Sequence, residues 1–109
     1  MILTDKTKED FLKWLENKDV APYTSMFFDV PQIVQHSFII EWFDSVNIRI
    51  FIADNLCSQS WEGNYYERLN KTKFGFEIQH ENYASFIYNT RTEATTEAIK
   101  KANVIYNNK

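Results

Sequence analysis

Residues 34–52, VQHSFIIEWFDSVNIRIFI, constrain this chain more than any other stretch. From Val46 onward the sequence alternates. Val46, Ile48, Ile50 and Ile52 fall on one side of an extended chain, and Asn47, Arg49 and Phe51 on the other. Period-two alternation is the mark of a half-buried strand. Together with the residues before it, the stretch reads as a β-hairpin turning at Asp44-Ser45.

A hairpin has a register, and the register is testable. A two-residue loop would set Trp42 opposite Asn47 and Glu41 opposite Ile48, mixing charge and apolar groups on both faces. An odd loop sets Trp42 against Ile48, Ile40 against Ile50 and Phe38 against Ile52, with Glu41 facing Arg49 and Ile39 facing Phe51. A slip of one residue sends every side chain to the opposite face, so burial of one face selects the odd loop. The face bearing Ile39, Phe43 and Phe51 is then too apolar to stand in water alone. It needs cover from the rest of the chain, from a partner, or from a second copy.

The remaining sequence supplies helices to pack on such a sheet. Residues 4–18 form an amphipathic helix, capped by Asp5 or Thr7, with Phe11, Leu12, Trp14 and Leu15 on its apolar side. Residues 20–34 are a connector in which Pro22 and Pro31 oppose regular helix. Its Met26-Phe27-Phe28 plug either covers a sheet edge or end, or presents an exposed binding patch. After a polar loop at 53–64, residues 65–70 are a candidate strand, and FGFEIQ (74–79) and YASFIY (83–88) are two more. Thr90-Arg91-Thr92-Glu93 is a capping box that opens a last helix. Ala94, Ala98, Ile99, Ala102, Ile105 and Tyr106 form its stripe, and the alanines allow close approach to a sheet. The expectation is one α+β domain over residues 1–109: a helix, an antiparallel meander of three to five strands and a C-terminal helix, with both helices on one sheet face.

Composition excludes more functions than it suggests. A chain of 109 residues with 25% charged residues and only two Gly and two Pro has the profile of a single soluble domain without a flexible linker. Its net charge of −3 lacks the basic excess of a nucleic-acid binder. The single Cys57 forms no intramolecular disulfide and fits a reducing compartment. The N-terminal residues lack a signal-peptide core, and no apolar run is long enough to span a membrane. These features lead to a cytoplasmic, non-enzymatic protein without cofactor.

Sites of chemistry are sparse. P-loop, dinucleotide and zinc spacings are absent from the sequence. His36, His80 and Cys57 are separated in sequence and read as surface or edge-strand residues, and the carboxylates as solvated charge. The site-like cluster is Trp61, Tyr65 and Tyr66, followed by Arg68, Lys71 and Lys73. Trp, Tyr and Arg are enriched at protein hot spots. Aromatics among bases also stack on single-stranded nucleic acid, and Trp61 with one of the tyrosines also reads as a pair of partly buried loop anchors. Trp61, Tyr65 and Tyr66, with Phe43 and Phe51 from the hairpin, are the candidate partner-binding residues.

Two resemblances follow from these motifs. The helix–strands–helix order, ending in TRTEATTEAIKKANVIY, resembles the double-stranded-RNA-binding domain. That family carries a phosphate-gripping lysine cluster where this chain has Arg91 beside Glu93 and Glu97, so the likeness implies topology and not RNA binding. The chain also resembles small uncharacterised proteins of bacterial phages and prophages. The likeness lies in Asp29-Val30-Pro31, in EWFDSVNI (41–48), and in TRTEA (90–94) leading to KANVIY (101–106), within a match of about residues 20–107. It implies a mobile-element setting and a host-cell cytoplasm, and brings no activity or catalytic residue. The combined expectation is a binding protein that acts through a protein–protein interface or by self-association. A nucleic-acid binder is the alternative.

Overall fold

The second arm of the expected hairpin folds as a strand, and the first arm does not. The computed structural model describes residues 1–18, 27–55, 72–79 and 81–109. Its elements, in order, are helix α1 (Asp5–Asn17), a 3₁₀ turn (Phe27–Asp29), helix α2 (Gln32–Ser45), strands β1 (Arg49–Asp54), β2 (Phe74–Gln79) and β3 (Tyr83–Tyr88), and helix α3 (Arg91–Asn107). The strands form an antiparallel sheet in the order β1-β2-β3. The fold is α+β as expected, with a third helix in place of the hairpin's first strand. The candidate strand at 65–70 lies outside the described residues.

Gln32–Ser45 is helical because its buried residues follow the helical period. His36, Ile39 and Phe43 are buried at spacings of three and four, with Trp42 beside them. Apolar residues occupy nearly every side of this segment, so alternation and helical periodicity both fit it. Its ends are built as helix ends. Pro31 sits at the N-cap, where its missing N–H costs nothing, and its carbonyl accepts from the Val34 and Gln35 N–H groups at 2.9 and 3.1 Å. At the far end Asn47 takes a left-handed φ of 68°. The Ile48 N–H then donates to the Phe43 carbonyl at 2.9 Å, and the Asn47 N–H to the Asp44 carbonyl at 3.2 Å. These are the two bonds of a Schellman motif, and Phe43 and Ile48, both fully buried, are the apolar pair that accompanies it.

The true partner of β1 is β2. Ile50 lies opposite Ile78 and Ile52 opposite Phe76, in place of the expected Ile40 and Phe38. The inward alternation of Ile48, Ile50 and Ile52 survives because β1 keeps its own period. One cluster of buried side chains joins α1 (Phe11, Leu15), α2 (Ile39, Trp42, Phe43), the sheet (Ile50, Phe76, Ile78) and α3 (Ala98, Ile99, Ala102). Phe27 enters this cluster with its ring 5.3 Å from Phe11 and 6.5 Å from Phe38, so it wedges between helices and covers no sheet edge. Its neighbour Phe28 is exposed.

Helix α1 is capped from across the molecule. Thr4 at its N-cap makes no side-chain cap bond of its own. The Thr4 N–H donates to Asn103 Oδ1 at 3.0 Å and the Thr7 N–H to Asn107 Oδ1 at 2.9 Å, both on α3. The Thr7 hydroxyl donates to the same Asn107 oxygen at 2.7 Å. Orphan donors of one helix start are thus satisfied by two asparagines one turn apart on another helix. Nearby, the Tyr106 hydroxyl donates to Asp10 Oδ2 at 2.6 Å, and that bond with its carboxylate pushes the phenol up to about 12.

Candidate functional site

Two surfaces hold groups that the fold does not use. The first is the outer face of the sheet. Pairing of Arg49 with Gln79, Phe51 with Glu77 and Ala53 with Gly75 places these side chains away from the helices. In β3 the register shifts between Phe74 and Phe76: Tyr88 pairs with Phe74 and Ser85 with Phe76, leaving Phe86 and Ile87 opposite Gly75 alone. Such a β-bulge breaks alternation and sends two consecutive residues outward. Glycine in the facing strand permits it. A Cβ on Gly75 would lie 2.1 Å from the Ser85 carbonyl oxygen and 2.5 Å from the Phe86 ring. Phe86 therefore lies over Gly75, and Ile87 projects beside it, 71% exposed. Phe51, across the sheet on β1, is 52% exposed. Glu77, on the central strand, sets a carboxylate directly beside Phe51, and Arg49 and Gln79 give the face a polar end.

The sequence-derived candidates separate here. Phe51 lies on the outer face, as the alternation requires. Phe43 does not: it is fully buried on α2, because the segment that carries it is a helix packed into the core and not an outer strand. Ile39, expected beside it on the same face, is buried for the same reason. Trp61, Tyr65 and Tyr66 lie outside the described residues, as do Met26, Cys57 and His80. Phe86 and Ile87 were not singled out by alternation. Their signal in the sequence is the adjacent pair of large apolar residues in β3 together with the lone glycine of FGFEIQ.

The second surface is a cleft of about 260 Å³ between the N-terminal half of α2 and the start of α3, with Ile52 of β1 in its lining. Ile33, Ile40 and Ile52 supply its apolar walls, and His36, Arg91 and Thr92 are among its polar groups. His36, expected on a surface or edge strand, is only 6% exposed, and its imidazole makes no hydrogen bond among the described residues. Burial holds its imidazole below the usual histidine value and hence neutral at pH 7. Arg91 lies 5.2 Å over the Phe74 ring, and the ion pairs among the described residues, Lys18–Glu41 and Lys100–Glu97, do not include it.

The start of α3 fixes the geometry of this cleft. The Thr90 hydroxyl accepts from the Glu93 N–H at 3.1 Å, as the capping box predicts, while the Glu93 carboxylate accepts from the Asn89 N–H at 3.2 Å. Glu93 lines the opposite flank of the helix with Tyr88 and Thr96, so Arg91 is the charged group turned to the His36 side. Among the described residues no three His, Cys, Asp or Glu side chains gather into a metal-ion site, and no helix is long and apolar enough to cross a membrane. Comparison of the chain with protein-family models, curated proteins and solved structures returns no match.

Proposed function

We propose that this is a non-enzymatic binding protein that contacts a protein partner through the outer face of its sheet. The observation that carries the reading is that Phe51 on β1 and Ile87 on β3 are both exposed on the face turned away from the three described helices. Exposed large apolar side chains set among polar ones are the anatomy of a recognition surface. Strand β3, an edge of the sheet among the described residues, adds to it. β3 contains no charged residue and no proline, the usual devices by which natural edges repel other chains. A phage or prophage setting, with action in a host cytoplasm, belongs to this proposal on the strength of the sequence resemblance alone. A nucleic-acid reading has less behind it, because the first turns of α3 set Glu93 and Glu97 against the single base Arg91.

The test uses a variant carrying Phe51→Ser and Ile87→Ser. Both side chains are exposed, so the fold is expected to survive. Wild-type protein should retain a specific partner from native extract, or show twice its chain mass by light scattering if the partner is a second copy. The variant should lose that association. Equal retention and equal mass for both proteins, with binding to RNA at low salt, would turn the reading towards nucleic acid.

A further inference from the structure

The His36 cleft has the chemistry of a ligand site on the opposite side of the sheet from the proposed interface. Three observations converge there. A polar side chain more than nine-tenths buried lines it without a hydrogen-bond partner among the described residues, a condition that native structures rarely tolerate without a role. Arg91 lines it, with its guanidinium over the Phe74 ring and without a carboxylate partner among the described residues. The cleft also opens on the N-terminal turn of α3, where the Glu93 and Ala94 N–H groups are taken by Thr90 and the Arg91 and Thr92 N–H groups have no acceptor among the described residues. Donors are therefore gathered around a volume whose apolar walls are isoleucine and whose other lining residues are Gln32, Ser37 and Thr95.

We propose that this cleft binds a small monocarboxylate with an apolar body. Arg91 and the first-turn N–H groups of α3 take the carboxylate, His36 donates to it from below, and Ile33, Ile40 and Ile52 hold the hydrocarbon. The carboxylate follows from the donor set. Arginine presents a planar fork that matches two carboxylate oxygens, and a helix start favours negative charge. A dianion such as phosphate is disfavoured, because one cation and a neutral imidazole leave its second charge uncompensated. The body must be small: about 260 Å³ holds on the order of nine water-sized groups. An aryl or branched-chain carboxylate fits that limit.

Titration of isotope-labelled full-length protein with benzoate and isovalerate, followed by NMR, tests the site. Saturable shifts are expected at the Thr92 and Thr95 amides and at the His36 ring. Benzyl alcohol and inorganic phosphate should bind at least ten-fold more weakly. Arg91→Gln, an exposed substitution that leaves the core intact, should weaken benzoate at least ten-fold, whereas the Phe51→Ser/Ile87→Ser variant should bind it like wild type. This separates the fate of the cleft from that of the interface. No saturable shift with either carboxylate overturns the proposal. Equal affinity for benzyl alcohol reduces the cleft to an apolar crevice and overturns it, tighter binding of phosphate overturns the assignment of ligand class, and an unaffected Arg91→Gln variant removes its anchor.

Discussion

Asn47 decides between the helix and the hairpin with one substitution. In the helical structure it is the left-handed residue that ends α2, with φ of 68° and its side chain exposed. Glycine adopts that conformation without steric cost, asparagine tolerates it, and a β-branched residue resists it. For ordinary L-residues the left-handed region costs roughly 1–2 kcal/mol, and valine belongs at the upper end. Asn47→Gly should therefore match or slightly exceed wild-type stability. Asn47→Val should fall about 2 kcal/mol below the glycine variant, a difference in melting temperature of roughly 8 °C or more for a domain of this size. Exposure of the side chain keeps burial out of the comparison. Urea and thermal unfolding, followed by circular dichroism, read both quantities. In a hairpin the signs reverse, since valine would extend the alternation of β1 and glycine would weaken it. A valine variant as stable as the glycine variant would refute the helical assignment of residues 32–45.

Other consequences follow from the same packing. Gly75→Ala forces a Cβ to within 2.1 Å of the Ser85 backbone oxygen, so it should cost about 3 kcal/mol or more and abolish the β3 bulge, read by urea unfolding and by the Phe86 and Ile87 amide shifts. Asn107→Ala leaves the buried Thr7 N–H without its acceptor and the Thr7 hydroxyl with the Asn103 carbonyl alone, at 3.2 Å, and should cost about 1–3 kcal/mol in the same assay. His36 gives a pH signature. Its pKa is lowered in the folded state by burial, so unfolded His36 takes up a proton before the folded residue does. Its contribution is intact above about pH 6.5 and is lost as pH falls from there towards the lowered native value. A His36→Gln variant should lose less stability than wild type over that window, and parallel curves for the two proteins would contradict the burial.

Elements with one dominant period were legible in the sequence, and the element with two was not. Helix α3 shows its cap and its stripe, and Ala94, Ala98, Ile99 and Ala102 are all fully buried. β2 alternates and buries Phe76 and Ile78. The segment around SFIIEWF is apolar on every side, so extended and helical readings bury equally much surface. Tertiary packing chose the helix: Trp42 meets Tyr106 of α3 at 4.9 Å and Phe11 of α1 at 5.8 Å. Local signals existed in Pro31 as an N-cap and Asn47 as the left-handed terminator, but both suit a loop as well. The outer-face site was half legible. Phe51 followed from alternation, whereas Ile87 depends on a bulge that only the pairing with Gly75 creates. The His36 cleft was not legible, because it needs α2 as a helix before its histidine can meet the start of α3.

The central claim is that Phe51 and Ile87 form a recognition surface, and its most direct test is partner recovery from native extract by wild-type protein beside the Phe51→Ser/Ile87→Ser variant, with the mass of each measured by light scattering. Wild-type protein should show an association, with a partner or a second copy, that the variant loses while its unfolding curve stays within about 0.5 kcal/mol of wild type, the usual range for exposed substitutions. An association that persists unchanged in the variant would contradict it.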